Sequence, residues 1–88
     1  MKIKNTFVLR EIAGNRVVLP MGAPSDAFSG MMTLNETGAF LWKLLEKEIS
    51  MEDLVNAMLA EYNVDSMQAQ KDVDEFLDTL RKAGVLEE

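Results

Sequence analysis

The apolar residues of this chain change their period once, near Thr33, and that break limits the possible folds more than any other feature. Before it they come in short runs of β-branched and aromatic residues cut by turn formers. After it they recur every three or four residues almost to the end of the chain. A period near two belongs to strands and one near 3.6 to helices. Strands first and helices afterwards argue against an alternating βαβ architecture and specify an α+β domain.

Residues 6–12, with Phe7, Val8, Leu9 and Ile12, read as a first strand. Gly14 and Asn15 suit a tight hairpin turn, and Arg16, Val17, Val18 and Leu19 are the return strand. Pro20 ends pairing there, and residues 20–30, with Gly22, Pro24 and Gly30, read as a loop. Met31, Met32, Thr33 and Leu34 form a third, short strand. Asn35 is an N-cap, and Leu41, Trp42, Leu45 and Ile49 give the first helix its stripe. Ser50 opens a second helix with the face Leu54, Val55, Met58, Leu59 and Tyr62. Asp65 opens a third, striped by Ala69, Val73, Phe76, Leu77 and Leu80. Gly84 stands where a helix C′ glycine belongs, and Val85 and Leu86 fold back onto the core. The expected architecture is a winged helix-turn-helix-like α+β fold, a three-stranded antiparallel sheet followed by three helices. Its 88 residues make one domain, 1–88.

The same inventory narrows the chemistry. The chain has no cysteine and no histidine, so thiolate metal sites, thiol catalysis and the usual general base are absent. No catalytic residue, metal site or cofactor is expected. Nine basic residues against fifteen acidic give a net charge of −6, a poor surface for phosphates, so no nucleic-acid partner is expected. The third helix carries Lys71, Asp72, Asp74, Glu75, Asp78, Arg81 and Lys82, an unfavourable composition for a recognition helix. Asp65-Ser66-Met67 resembles the phosphopantetheine site of an acyl carrier protein, but a helix cap explains it and the strand-rich N-terminal third does not fit a four-helix carrier. The N-terminus has no signal-peptide core and no stretch is apolar enough to span a bilayer, so the expectation is a cytoplasmic protein without a membrane partner.

Three strands cannot close a barrel, so the sheet has free edges. An edge strand presents unpaired N–H and C=O groups and accepts an extended peptide as a further strand. With the third helix beside that edge, the two would form a groove. Met31 and Met32 are adjacent on a strand and so point to opposite faces: either one packs inward while the other lines an exposed surface that adapts to peptide side chains, or both are buried under the helices.

The segment Leu34-Asn35-Glu36-Thr37-Gly38-Ala39-Phe40-Leu41-Trp42, followed by Leu44-Leu45, resembles the central signature of the PqqD-like family. Asp72-Val73, Phe76-Leu77, Leu80 and Gly84-Val85-Leu86 are similar to its closing pattern. The resemblance covers essentially the whole chain. It implies a peptide-recognition element that is not itself an enzyme. The leader segment of a ribosomally synthesised precursor peptide would dock as an added strand and be delivered to a modifying enzyme, often a radical S-adenosylmethionine enzyme. Carried onto this chain, the peptide pairs with Met31, Met32, Thr33 and Leu34. Val73, Leu77 and Leu80 line the groove, and Lys71, Asp74, Asp78 and Arg81 make polar or charged contacts. On that reading, Met32→Pro or Leu77→Asp abolishes binding. The quinone-pathway members carry an aromatic-Pro-Glu-Gly segment where this chain has Ala27-Phe28-Ser29-Gly30, which favours a different peptide product. A monomer or a domain-exchanged dimer is expected, residues 20–30 being long enough to act as a hinge. Two other readings use the same inventory: a winged-helix DNA-binding regulator, and a generic protein adaptor that dimerises through the edge strand.

Overall fold

The computed structural model describes residues 1–21 and 32–88. The expected loop after Pro20, from residue 22 onward, the Ala27-Phe28-Ser29-Gly30 segment and Met31 lie outside the described residues. The elements in chain order are β1 (Lys2–Ile3), β2 (Phe7–Ile12), β3 (Asn15–Pro20), β4 (Met32–Leu34), α1 (Glu36–Leu45), α2 (Met51–Glu61), α3 (Ser66–Ala83) and β5 (Leu86–Glu87). The main sheet is antiparallel with order β2-β3-β4, and three helices follow it. The α+β expectation is met.

Two details depart from it. The hairpin pairs Ile12 with Asn15, so its turn residues are Ala13 and Gly14 rather than Gly14 and Asn15. Both have positive φ, 53° and 83°, as a two-residue type I′ turn demands. Alanine accepts that backbone at a cost; a turn at Gly14 and Asn15 would instead set Val18 opposite Glu11 rather than Leu9. The second departure is a small extra sheet. Lys2 and Ile3 pair with Glu87 and Leu86, and the Lys4 N–H donates to the Val85 carbonyl at 2.9 Å. It ties the N-terminal segment to the end of α3 and buries Ile3.

Each helix begins where its sequence supplies a cap. Asn35 Oδ1 accepts from Gly38 N at 2.8 Å, Ser50 Oγ from Asp53 N at 3.1 Å, and Asp65 Oδ1 from Gln68 N at 2.8 Å. α3 ends in a Schellman motif: Gly84, at φ 74°, donates to Arg81 O, and Val85 donates to Leu80 O. Leu80 and Val85, both fully buried, supply the apolar contact that accompanies such an ending.

The core lies between the sheet and the three helices. Val18 and Leu34 face it from the sheet, Leu41, Trp42 and Leu45 from α1, Leu54 and Met58 from α2, and Ala69, Val73, Leu77 and Leu80 from α3. Burying each large side chain contributes about 1.5–3 kcal/mol. Leu59, expected on the α2 face, is instead exposed, and Ile49 packs on the core from beyond the end of α1.

Candidate functional site: an open strand edge beside the third helix

Among the described residues β4 pairs with β3 alone, so its other edge is open. The ladder phase determines which groups that edge presents. A two-residue hairpin makes Ile12 and Asn15 a hydrogen-bonded pair, and the Met21 N–H, six residues on, donates to Thr6 O at 2.7 Å. Odd-numbered β3 residues therefore bond to β2, and Arg16 and Val18 bond to β4. Val18 is opposite Met32 and Arg16 is opposite Leu34. Met32 and Leu34 thus turn both backbone groups inward, toward β3. Thr33, opposite Val17, turns its N–H and C=O outward to the open edge. The same phase makes Phe7 and Pro20 a non-bonded pair, so Pro20 costs the β2–β3 ladder no hydrogen bond.

Side chains follow the complementary alternation. Leu34 is buried in the core, Met32 packs half-buried against it, and Thr33 is exposed. Next to Leu34 a groove runs between the start of α1 and one flank of α3. Its volume is about 280 Å³, and it is lined by Asn35, Thr37, Gly38 and Leu41 on one side and Asp72, Glu75, Phe76 and Thr79 on the other. Gly38 is what lets the two walls meet. A Cβ there would lie 3.2 Å from Phe76 Cε1, 3.2 Å from Asn35 Oδ1 and 3.4 Å from Leu34 Cβ. The Phe76 ring consequently rests on the first turn of α1, beside the end of β4.

The residues expected from the sequence are distributed differently. Met32, Thr33 and Leu34 make up the open-edged strand, and of these three Thr33 presents its backbone outward. Val73, Leu77 and Leu80 are fully buried in the core, which corrects their assignment as groove lining. An aspartate at Leu77 therefore tests folding, not the groove. Lys71, Asp74, Asp78 and Arg81 do not line the groove either. At about 100° per residue they fall on the α3 flank turned away from it. Two of them are engaged on that side: Asp78 pairs with Lys82 at 3.0 Å, and Arg81 pairs with Glu88 at 2.9 Å. The guanidinium hydrogen bond holds the Glu88 carboxyl below the usual glutamate range and raises Arg81. The residues that do line the groove from α3, Asp72, Glu75, Phe76 and Thr79, share a 72/75/76/79 helical stripe. That spacing was the available signal, but it does not say which flank of the helix faces β4.

Two local bonds border the groove: Gln68 Nε2 donates to Asp72 Oδ1 at 2.8 Å, and Thr79 Oγ1 donates to the Glu75 backbone carbonyl at 3.0 Å. Among the described residues no group of three or more acidic side chains stands ready to hold a metal ion. No helix among them is long and apolar enough to cross a membrane. What the arrangement offers is free backbone at Thr33 on the strand that ends at Leu34, next to a groove with apolar residues Leu41 and Phe76 and a polar rim. These are the parts of a site for an extended peptide.

Comparison with known proteins points the same way. A solved structure described as TbiB1 in complex with the TbiA(beta) leader peptide matches with a TM-score of 0.76 at 32% sequence identity. The match covers 99% of this chain and 95% of the other. No curated protein matches significantly. Residues 15–86 match the family described as Coenzyme PQQ synthesis protein D (PqqD). That span takes in β3, β4, all three helices and every residue of the groove, and the chain belongs to the PqqD family.

Proposed function

We propose that this protein binds the leader segment of a ribosomally synthesised precursor peptide and presents the precursor to a modifying enzyme. It acts by binding rather than by catalysis. The leader adds as a strand to the open edge of β4, exchanging hydrogen bonds with the Thr33 N–H and C=O, and lays side chains into the groove under α3. The observation that carries this reading is the juxtaposition of that free backbone with the groove, in a chain 32% identical over nearly its full length to a protein solved with a leader peptide. Each backbone hydrogen bond contributes about 0.5–1.5 kcal/mol net, so two of them with one or two buried apolar anchors reach the micromolar range, about −8 kcal/mol. Tethering the leader raises the effective concentration of the attached core peptide at the enzyme.

The test is a backbone amide NMR titration of the full chain with a panel of leader peptides from precursors of this family. Saturable shifts at Met32, Thr33 and Leu34 and along Asp72, Glu75, Phe76 and Thr79 support the reading. Shifts confined to the opposite flank of α3, or none with any leader, refute it.

A further inference from the structure

The groove is charged with one sign only. Of the eight described residues that line it, two carry carboxylates, Asp72 and Glu75, and none carries a cation. They are three residues apart on the same flank of α3, an unfavourable spacing for like charges on a helix. Neither has an ion-pair partner among the described residues, whereas Asp78 on the outer face is paired with Lys82 and Glu88 with Arg81. Both stand beside the apolar floor formed by Leu41 and Phe76.

We propose that Asp72 and Glu75 make this groove selective for a peptide strand that places a Lys or Arg beside an apolar anchor. The inference rests on the leader-binding reading and names what that leader must carry. The apolar side chain covers Leu41 and Phe76, and the cation bridges the two carboxylates. The two peptide residues stand two positions apart, because alternate residues of an extended strand share a face. Bridging relieves the repulsion between Asp72 and Glu75, which a neutral or acidic peptide would leave in place.

A net charge of −6 attracts any basic peptide over long range, so the test must separate contact from steering. Glu75→Lys and Asp74→Lys change the net charge equally, on opposite flanks of α3, and both positions are exposed, so both variants fold. Random 12-residue peptides displayed on phage are selected on the full chain, and enriched peptides are titrated onto all three proteins at ~150 mM salt. Each bound peptide is also checked for a shift of the Thr33 amide. The expected outcome is enrichment of Lys or Arg two positions from Leu, Ile or Phe. Affinity then falls about tenfold in Glu75→Lys and less than threefold in Asp74→Lys. Equal losses in the two variants, or no cationic preference among peptides that shift Thr33, overturn the inference and leave leader binding intact. Peptides that bind without touching Thr33 overturn the leader-binding reading beneath it.

Discussion

Two adjacent proline substitutions separate binding from folding, because neighbouring residues of β4 point their N–H groups in opposite directions. At Thr33 the N–H faces the open edge. Thr33→Pro removes it without breaking a β3–β4 bond, and proline is tolerated on an edge strand. Its restriction on the preceding residue is compatible too, since Met32 is already extended. Stability should change by no more than about 0.5 kcal/mol, a Tm shift within ~4 °C for a domain of this size. Peptide binding loses one backbone hydrogen bond, about 0.5–1.5 kcal/mol, which weakens Kd about two- to tenfold. At Met32 the N–H faces Val18, a fully buried residue. Met32→Pro leaves the Val18 carbonyl without its partner at a cost of about 1–3 kcal/mol, and Tm falls by roughly 5–20 °C. Thermal melts by circular dichroism and anisotropy titration with a labelled leader peptide read the two effects. If Met32→Pro melts like the parent while Thr33→Pro unfolds, the ladder phase is inverted and the account of the edge is wrong.

Ala13, at φ 53°, occupies the first position of a type I′ turn where asparagine is preferred. Ala13→Asn should raise stability by about 0.5–1 kcal/mol, measured as an upward shift in the urea midpoint at constant m-value. Gly38→Ala gains helix propensity of about 1 kcal/mol but crowds Phe76 and Asn35 at 3.2 Å. The two effects oppose each other, so Tm should change little while the Phe76 ring resonances shift and peptide affinity falls. The Glu88 carboxyl is held below the ordinary glutamate value by its hydrogen bond from Arg81. A depressed folded-state pKa adds stability above the ordinary value and loses it as pH falls through the folded one. Arg81→Gln should return the Glu88 titration, followed by its side-chain carbon shift, toward the ordinary range. Because the pair is exposed, neutral-pH stability should barely change.

Features set by local geometry were legible in the sequence. Asn35, Ser50, Asp65 and Gly84 each act within one helical turn, and each stands at the helix end where it was expected. The buried stripes of α1 and α3 followed from period alone. What failed was whatever depends on how elements meet. The hairpin turn moved back by one residue to Ala13 and Gly14, a register that sets Val18 opposite Leu9 rather than Glu11 at the expense of strain on alanine. The β1–β5 pair was missed because two-residue strands carrying Lys2 and Glu87 show no alternation; they form only because α3 brings its C-terminus beside Ile3. In the groove, period shows that Val73, Leu77 and Leu80 share a face. Only packing shows that this face is the core and that β4 is beside the flank of Asp72, Glu75, Phe76 and Thr79. Lys71, Asp74, Asp78 and Arg81, on the other flank, could not be told apart from these by spacing alone.

The central claim is that a leader strand bonds to the outward backbone of Thr33, and hydrogen exchange at single amides tests it most directly. In the free protein the Met32 and Leu34 amides, bonded to β3, should exchange slowly, and the Thr33 amide should exchange at nearly the rate of an unprotected one. With a saturating leader peptide, Thr33 should become protected at least tenfold while Met32 and Leu34 change little. A Thr33 amide that is already protected in the free protein, or that stays unprotected when the peptide is bound, would contradict strand addition at this edge.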